Sequence, residues 1–378
     1  MTTYSMKITF LIRSLDYGGA ERQLVLLANG LHQLGHSVSV IVFYSGGPLI
    51  PELLKQGIKV HSAGKKHRWD LFGFLCRMIS IVRAERPDVI HSYLTVSNIL
   101  AIILRWFCHQ AKVVWGIRAS DMDVTRYDTL WKVADWIEKK SVKFADMVIV
   151  NSKAGMSHSA KRGIQESKLT FIANGIDTET FKPGIIDQDL RCNWGISFEE
   201  HIIGMVARFD PMKDHTTFIS AAALVHSEFP SLRFVLVGEG PAGYVHKIKQ
   251  LAKSVGVADL VVFAKTSSSM AKIYRSFDLM TLTSEFGEGF PNVVGEAMAC
   301  GISCVVTDVG DSSLIVGSTG YVVPKSDPVA LAKSWRKFLT LPLFEQKEFG
   351  KHARNRIVKA YSAQRMIKET EKTLLQLI

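Results

Sequence analysis

The chain has 378 residues, 47% hydrophobic and 21% charged, a composition that suits two globular domains and excludes disorder, collagen-like repeats and coiled coil. Its five cysteines include no C-x-x-C pair, which argues against a disulfide framework or zinc ribbon, and no apolar run approaches the roughly 18 residues that cross a bilayer. The net charge of +11 is uneven, +8 over residues 1–180 against +3 over 181–378, an imbalance that points to nucleic acid, an anionic membrane surface or phosphorylated substrates unless it is only a solvated lysine-rich surface.

Lys7 and Arg13 flank an apolar run too short for a signal-peptide core, so the expected compartment is the cytoplasm. That run, Met6–Ile12, reads as a strand. The turn Asp16-Tyr17-Gly18-Gly19 and an apolar period from Ala20 to Leu34 follow, and Gly35 ends the helix before the strand Ser37–Phe43. Strand, turn, helix and strand within one short segment make a βαβ unit and imply a parallel sheet. Helical stretches at 69–85, 97–107 and 130–144 alternate with strand-like runs at 89–90, 113–117 and 147–150. After the break Phe181-Lys182-Pro183-Gly184 and a polar stretch to about Glu200 the alternation restarts with Ile202–Val206, the helix Thr216–Phe229, and strands at 233–237, 261–263, 279–283 and 303–306. The chain ends in an amphipathic stretch, Ala363–Leu377. The fold class expected is α/β, two doubly wound domains joined near 181–200, with ligands outside the carboxyl ends of the strands and two facing sheets enclosing a deep cleft.

The chemistry concentrates at such strand ends. Arg208 and Lys213 follow Ile202–Val206, an arginine fork and an ammonium spaced to neutralise a diphosphate, although a surface loop is often basic. Gly238-Glu239-Gly240 follows another strand and lets a ligand pass close to the backbone. The densest stretch runs from Ser284 to Gly301. Gly287 and Gly289 permit close approach, Pro291 suits a first helical turn, and Asn292–Cys300 reads as a helix whose first amides favour an anion. Glu288 before that helix and Glu296 within it offer carboxylates for sugar hydroxyls; the plainer reading is a Gly-rich turn and an exposed Glu. Asp121-Met122-Asp123 has the D-x-D spacing of a divalent-metal site. It follows Arg118-Ala119-Ser120 rather than an apolar strand, and Asp187-Gln188-Asp189 repeats the spacing in the linker, so no metal is expected.

The Glu288-x7-Glu296 block in its GEGFPNVVGEAMACG setting resembles retaining glycosyltransferase family 4, of the GT-B fold. The likeness continues through Gly18-Gly19-Ala20-Glu21, Asn174-Gly175-Ile176-Asp177, Arg208, Lys213, Val237–Gly240 and Val305–Gly310, and is greatest to members that build bacterial surface polysaccharides such as O-antigen or capsule. It implies an acceptor-binding domain over 1–182, a nucleotide-sugar-binding domain over 198–359, and a C-terminal helix, about 360–378, crossing back to the first. Glu288 would contact the donor sugar and Glu296 the ribose. Arg208 and Lys213 would hold the leaving diphosphate. The amides around Asn292, Val293 and Val294 would cap a phosphate, Gly289 and Phe290 would belong to the donor site, Gly238 would pass the donor, and Lys265 would stand where relatives hold the base. Gly18 and Gly19 would let the first domain's loop approach the donor. Arg118 stands where many relatives carry a histidine, so it is assigned to the charge of donor or acceptor, with His91 as a fallback cleft residue for which a core or supporting histidine is the favoured reading.

The expected activity is therefore transfer of a hexose or N-acetylhexosamine, with retention and without a metal or other cofactor. The donor is a nucleotide-diphosphate sugar, UDP favoured over GDP, and the acceptor is lipid-linked or a saccharide. A UDP-sugar epimerase of the same fold is the alternative; a basic nucleic-acid binder would leave the GEGFPN block unexplained. The basic first half, with Lys65-Lys66-His67-Arg68-Trp69 and the apolar stretch Ile99–His109, is expected to rest on the inner face of the cytoplasmic membrane; a buried helix is the better reading for most apolar positions of Ile99–Phe107, which leaves the charge cluster at 65–68 as the main argument.

Overall fold

The structure, a computed structural model, describes residues 5–67, 70–118, 129–267 and 269–378. The chain divides into two compact units, Met1–Gly175 with Ala363–Ile378, and Ile176–Ser362. In the first unit the order is β1 Lys7–Ile12, α1 Gly19–Gln33, β2 Ser37–Val42, α2 Ile50–Lys55, β3 Lys59–Ser62, α3 Phe72–Glu85, β4 Val89–Tyr93, α4 Thr95–Arg105, β5 Lys112–Ile117, α5 Thr129–Ser141, β6 Met147–Val150, α6 Lys153–Lys161 and β7 Leu169–Phe171. The second runs α7 Gln188–Asn193, β8 His201–Val206, α8 His215–Val225, β9 Leu232–Val237, α9 Ala242–Ser254, β10 Val261–Ala264, α10 Met270–Arg275, β11 Leu279–Leu282, α11 Asn292–Ala299, β12 Ser303–Thr307, α12 Ser312–Val316, β13 Tyr321–Val323, α13 Pro328–Leu339 and α14 Leu343–Ala360. Helix α15, Ala363–Leu375, belongs to the first unit.

Both sheets are parallel throughout. The first has the order β3-β2-β1-β4-β5-β6-β7 and the second β10-β9-β8-β11-β12-β13. In each the winding direction reverses once, between β1 and β4 and between β8 and β11, the switch points at which ligands of such sheets bind. Central strands such as β1 and β8 are buried at every position after the first, as strands covered on both faces must be. The two faces of the first sheet carry separate cores. Leu24, Leu27 and Leu31 of α1 pack on one side, and Met78, Val82 and Leu104 of α3 and α4 on the other.

Helix α15 completes the α1 side. Met366 and Leu374 are buried in that core, and burying each contributes about 1.5–3 kcal/mol. Gly30 of α1 is a required gap, because a β-carbon there would lie 2.2 Å from Ile367 Cδ1. Where the chain leaves the unit, Gly175 is clasped by Gln23, whose amide donates to the Gly175 carbonyl at 2.8 Å and accepts from its N–H at 3.0 Å. His36 fixes the far end of α15 through Glu371 at 3.0 Å.

The polar stretch at 181–200 is not a free linker. Phe181 meets the Tyr274 ring edge-on at 5.9 Å, Trp194 stacks on Phe277 at 6.3 Å, and the Asp187 carboxylate caps α7 while pairing with Lys272 at 2.8 Å. These contacts tie it into the second unit. They also account for the Asp187-Gln188-Asp189 spacing as a helix cap.

Candidate active site

In the second unit the expected groups gather at the carboxyl ends of β8 and β11, beside the switch point. The chain leaves β8 through Ala207 and Arg208 into a single 3-10 turn, Pro211–Lys213, capped by the Asp210 carboxylate. Asp214 then takes a left-handed φ of 44° and caps α8 through Thr217 N–H at 3.1 Å. Thr283, just past β11, reaches the carbonyls of both Lys213 and Asp214 at 2.9 Å. That anchor holds the backbone of Lys213, and its ammonium pairs with the Glu288 carboxylate. Ser284 donates to the same carboxylate oxygen at 2.5 Å. Glu288 is buried, so its charge is carried by these contacts rather than by bulk water. Glu296 is also buried and accepts from the Tyr274 hydroxyl at 2.7 Å.

Glycines set the spacing. A β-carbon on Gly238 would fall 1.9 Å from the Ala207 carbonyl oxygen, and one on Gly310, whose φ is +60°, would fall 2.3 Å from that of Glu288. The loops after β9 and β12 therefore press directly on the two loops that carry Arg208 and Glu288. Gly289 adds a backbone tie to the β12 loop by accepting from Asp311 N–H at 3.0 Å.

Arg208 and Lys265 are exposed, and no described residue pairs with the Arg208 guanidinium. Phe290 is buried edge-on against Tyr361 at 5.4 Å, a packing position rather than a ligand-facing one. The three amides expected at the start of α11 are not equivalent, because Val294 N–H turns inward to the Pro291 carbonyl at 3.1 Å. Next to Lys213, His215 stacks on Phe209 at 4.5 Å; burial, reinforced by the Lys213 charge, pushes its pKa down to about 4. Sequence reasoning gave no role to Ser284, Tyr274, Thr283 or Gly310, although Ser284 and Gly310 lie within the stretches it singled out. Of these only Ser284, four residues before Glu288, carries a signal in its spacing.

The first unit presents a different constellation. Gly18 caps α1 with an extended backbone, and a β-carbon there would collide with the Glu21 carboxylate, 2.0 Å away. At the end of β5, Arg118 folds back over Gly116 onto the Tyr93 ring, 4.1 Å from its centroid. The guanidinium donates to the Tyr93 hydroxyl and to Asn174 Oδ1 at 3.3 Å, and no described carboxylate pairs with it. His91 is wholly buried between Phe10 and Tyr93, with neither ring nitrogen hydrogen-bonded among the described residues. Burial, aided by the Arg118 charge, holds its pKa well below the ordinary value, so it is a neutral core side chain. That location removes His91 as a cleft candidate.

Asp121 and Asp123 lie outside the described residues, as do Arg68 and Trp69 of the basic cluster. Among the described residues no group of three or more His, Cys, Asp or Glu side chains is disposed to hold a metal ion. No helix described is long and apolar enough to cross a membrane.

Residues 17–180 match the family described as Glycosyltransferase Family 4, and residues 200–340 match Glycosyl transferases group 1. A D-inositol 3-phosphate glycosyltransferase of Mycolicibacterium smegmatis is 30% identical over 345 residues, covering 82% of this chain and 76% of the relative. The chain belongs to glycosyltransferase family 4. Another relative of this family 4 enzyme is the N-acetyl-alpha-D-glucosaminyl L-malate synthase of Bacillus anthracis, 24% identical over 78% of this chain and 76% of its own length. The GT-B fold is shared with Anabaena HepE, solved in complex with UDP-glucose, with a TM-score of 0.86 over 98% of this chain and 100% of that one at 22% identity.

Proposed function

We propose that this glycosyltransferase moves a hexose or N-acetylhexosamine from a nucleotide-diphosphate sugar, UDP favoured over GDP, to a lipid-linked or saccharide acceptor of bacterial surface-polysaccharide assembly. The anomeric configuration is retained. The observation that carries this reading is the cluster of Lys213, Glu288 and Ser284 at the switch point, with Arg208 exposed on the same loop as Lys213 and without a partner among the described residues. Charge develops on the diphosphate as the glycosidic bond to it breaks. Arg208 and Lys213 offset that charge, with the Asn292 and Val293 amides at the start of α11, where a divalent ion would otherwise serve. Glu288 accepts hydroxyl hydrogen bonds from the donor sugar, and Glu296 from the ribose. Gly18, Gly19, Gly238 and Gly289 let backbone approach the donor, Lys265 lies at the base, and Arg118 meets anionic charge from the first unit. The HepE complex supports UDP as the nucleotide, and the name of the Bacillus anthracis relative supports an N-acetylhexosamine.

The test is a melting-temperature panel with UDP, GDP, ADP and their sugars in EDTA, followed by NMR of the product. A nucleotide at 100 times its Kd adds about 2.7 kcal/mol to the folded state. The largest shift is expected with UDP and its sugars, and the product anomer is expected to match the donor. Indifference to every nucleotide would sink the reading, and an inverted product would remove retention from it.

A further inference from the structure

Helices α4 and α5 pack beside each other on one face of the first sheet. Their inner sides are fully used. Ala101 and Leu104 enter the core, Asn98 and Thr95 donate to Glu138 at 3.0 and 3.2 Å, and Asp135 pairs with Arg162 at 2.5 Å. Their outer sides are apolar where a solvated helix would be polar. Val133, Trp136, Ile137 and Lys140 fall at i, i+3, i+4 and i+7, so α5 turns three apolar side chains and one lysine outward together. Helix α4 adds Val96 and Ile103, with Trp106 directly after it. Trp106 is 70% and Trp136 61% exposed, and Phe144 continues the patch.

Charge selects what covers this face. The described carboxylates of the two helices and their flanks point inward or are paired, Asp146 with Arg105 at 3.1 Å and Asp135 with Lys139 at 2.8 Å. Lys140 and Lys143 stay exposed without a carboxylate partner among the described residues. A second copy of the chain would set these cations against each other, whereas an anionic bilayer complements them. Exposed Trp and Phe beside lysines is the pattern that settles in the headgroup layer. Within the Lys65 cluster, Lys65 itself is held by local contacts. Lys65 lies 4.6 Å over the Phe74 ring and donates to the Asp70 carbonyl at 3.2 Å.

We infer that the outer face of α4 and α5 docks the enzyme on an anionic lipid surface, with Trp106 and Trp136 among the headgroups and Lys140 and Lys143 over their phosphates. The inference deepens the proposed lipid-linked acceptor and depends on it for its purpose. Co-sedimentation tests it, with phosphatidylcholine vesicles with and without phosphatidylglycerol. Binding is expected only to the anionic vesicles, weakened by salt and accompanied by a blue shift of tryptophan fluorescence. Trp106→Ser with Trp136→Ser should abolish most of that shift. Lys140→Glu with Lys143→Glu should weaken binding on the order of tenfold or more. Both pairs should keep the wild-type melting temperature and its rise with UDP. Wild-type protein that ignores anionic vesicles, variants that bind as wild type does, or loss of self-association in the same variants would each overturn docking. Docking without any response to nucleotides would overturn the transfer reading alone.

Discussion

In the second unit the Glu288 carboxylate is met by Lys213 and Ser284 before any ligand arrives, whereas in the first unit Arg118 rests on the Tyr93 ring with a hydroxyl and an amide oxygen as its partners among the described residues. Buried opposite charges that neutralise each other hold a fixed geometry and need little rearrangement when a third charge joins them. Among the described residues the neighbours of Arg118 are neutral, and the ring and two hydrogen bonds offset part of the cost of its desolvation. Each unit thus shows a different arrangement among its described residues, a neutralised pair at Glu288 and a cation without a described carboxylate at Arg118.

The sharpest way to break this comparison is to remove charge from the second unit. Arg208→Ala and Glu288→Gln should each lower kcat/KM on the order of 10²–10³. Their stabilities should separate. Arg208 is exposed and has no partner among the described residues, so its variant should melt like the wild type, but Glu288→Gln strips Lys213 of its counter-charge and should cost about 1–3 kcal/mol. An open-cleft position for both residues, as the sequence implies, would leave both melting temperatures unchanged. Parallel kinetics and thermal melts tell the two apart, and near-wild-type turnover in either variant contradicts the assignment.

A second contrast is in acid. The pKa of His215 is lowered to about 4, against an ordinary 6.5 in the unfolded chain. Between those values the unfolded state binds more protons, so stability is complete above about pH 6.5 and is lost as pH falls towards 4. The loss amounts to about 2–3 kcal/mol. Denaturant unfolding across that window should show the slope, and His215→Phe should remove much of it. What remains belongs to other groups, buried His91 of the first unit among them, since its pKa is also lowered. An unchanged slope in the variant would show that His215 does not stay neutral.

The smallest expected effect tests the seat of Arg118. A β-carbon on Gly116 would lie 3.0 Å from the Ser92 carbonyl, 3.2 Å from the Tyr93 ring and 3.4 Å from Arg118 Nε. Gly116→Ala should therefore cost about 1 kcal/mol, and by shifting the guanidinium should raise KM more than it lowers kcat. Equal melting and equal KM would mean that the Arg118 position is not set by this contact.

Much of this architecture is readable in the amino-acid sequence, for a definite reason. Strands β1, β2, β8, β9 and β11 are buried on both faces and announce themselves as runs dominated by apolar residues. The edge strand β3, Lys59–Ser62, has the sequence KVHS and no apolar run to read, and β7 and β13 are only three residues long. Within the site, Glu288 and Glu296 stand out through the glycine-rich block around them. Their partners do not, because Lys213 is 75 residues from Glu288 and Tyr274 is 22 from Glu296. Such pairings are made by the sheet, which brings the ends of β8 and β11 together. The inward turn of Val294 N–H likewise depends on how the first turn of α11 closes onto Pro291.

The crossing of α15 back to the first unit also orders events in time. Ile176–Ser362 is one uninterrupted stretch with its own sheet, so a ribosome delivers everything that unit needs before α15 exists. The first unit, although begun earlier, must wait for Met366 and Leu374 to close the side of its core against α1. During synthesis the side of α1 at Gly30, against which Ile367 packs, goes uncovered while nearly two hundred further residues emerge, and the half of the protein made first is the half finished last.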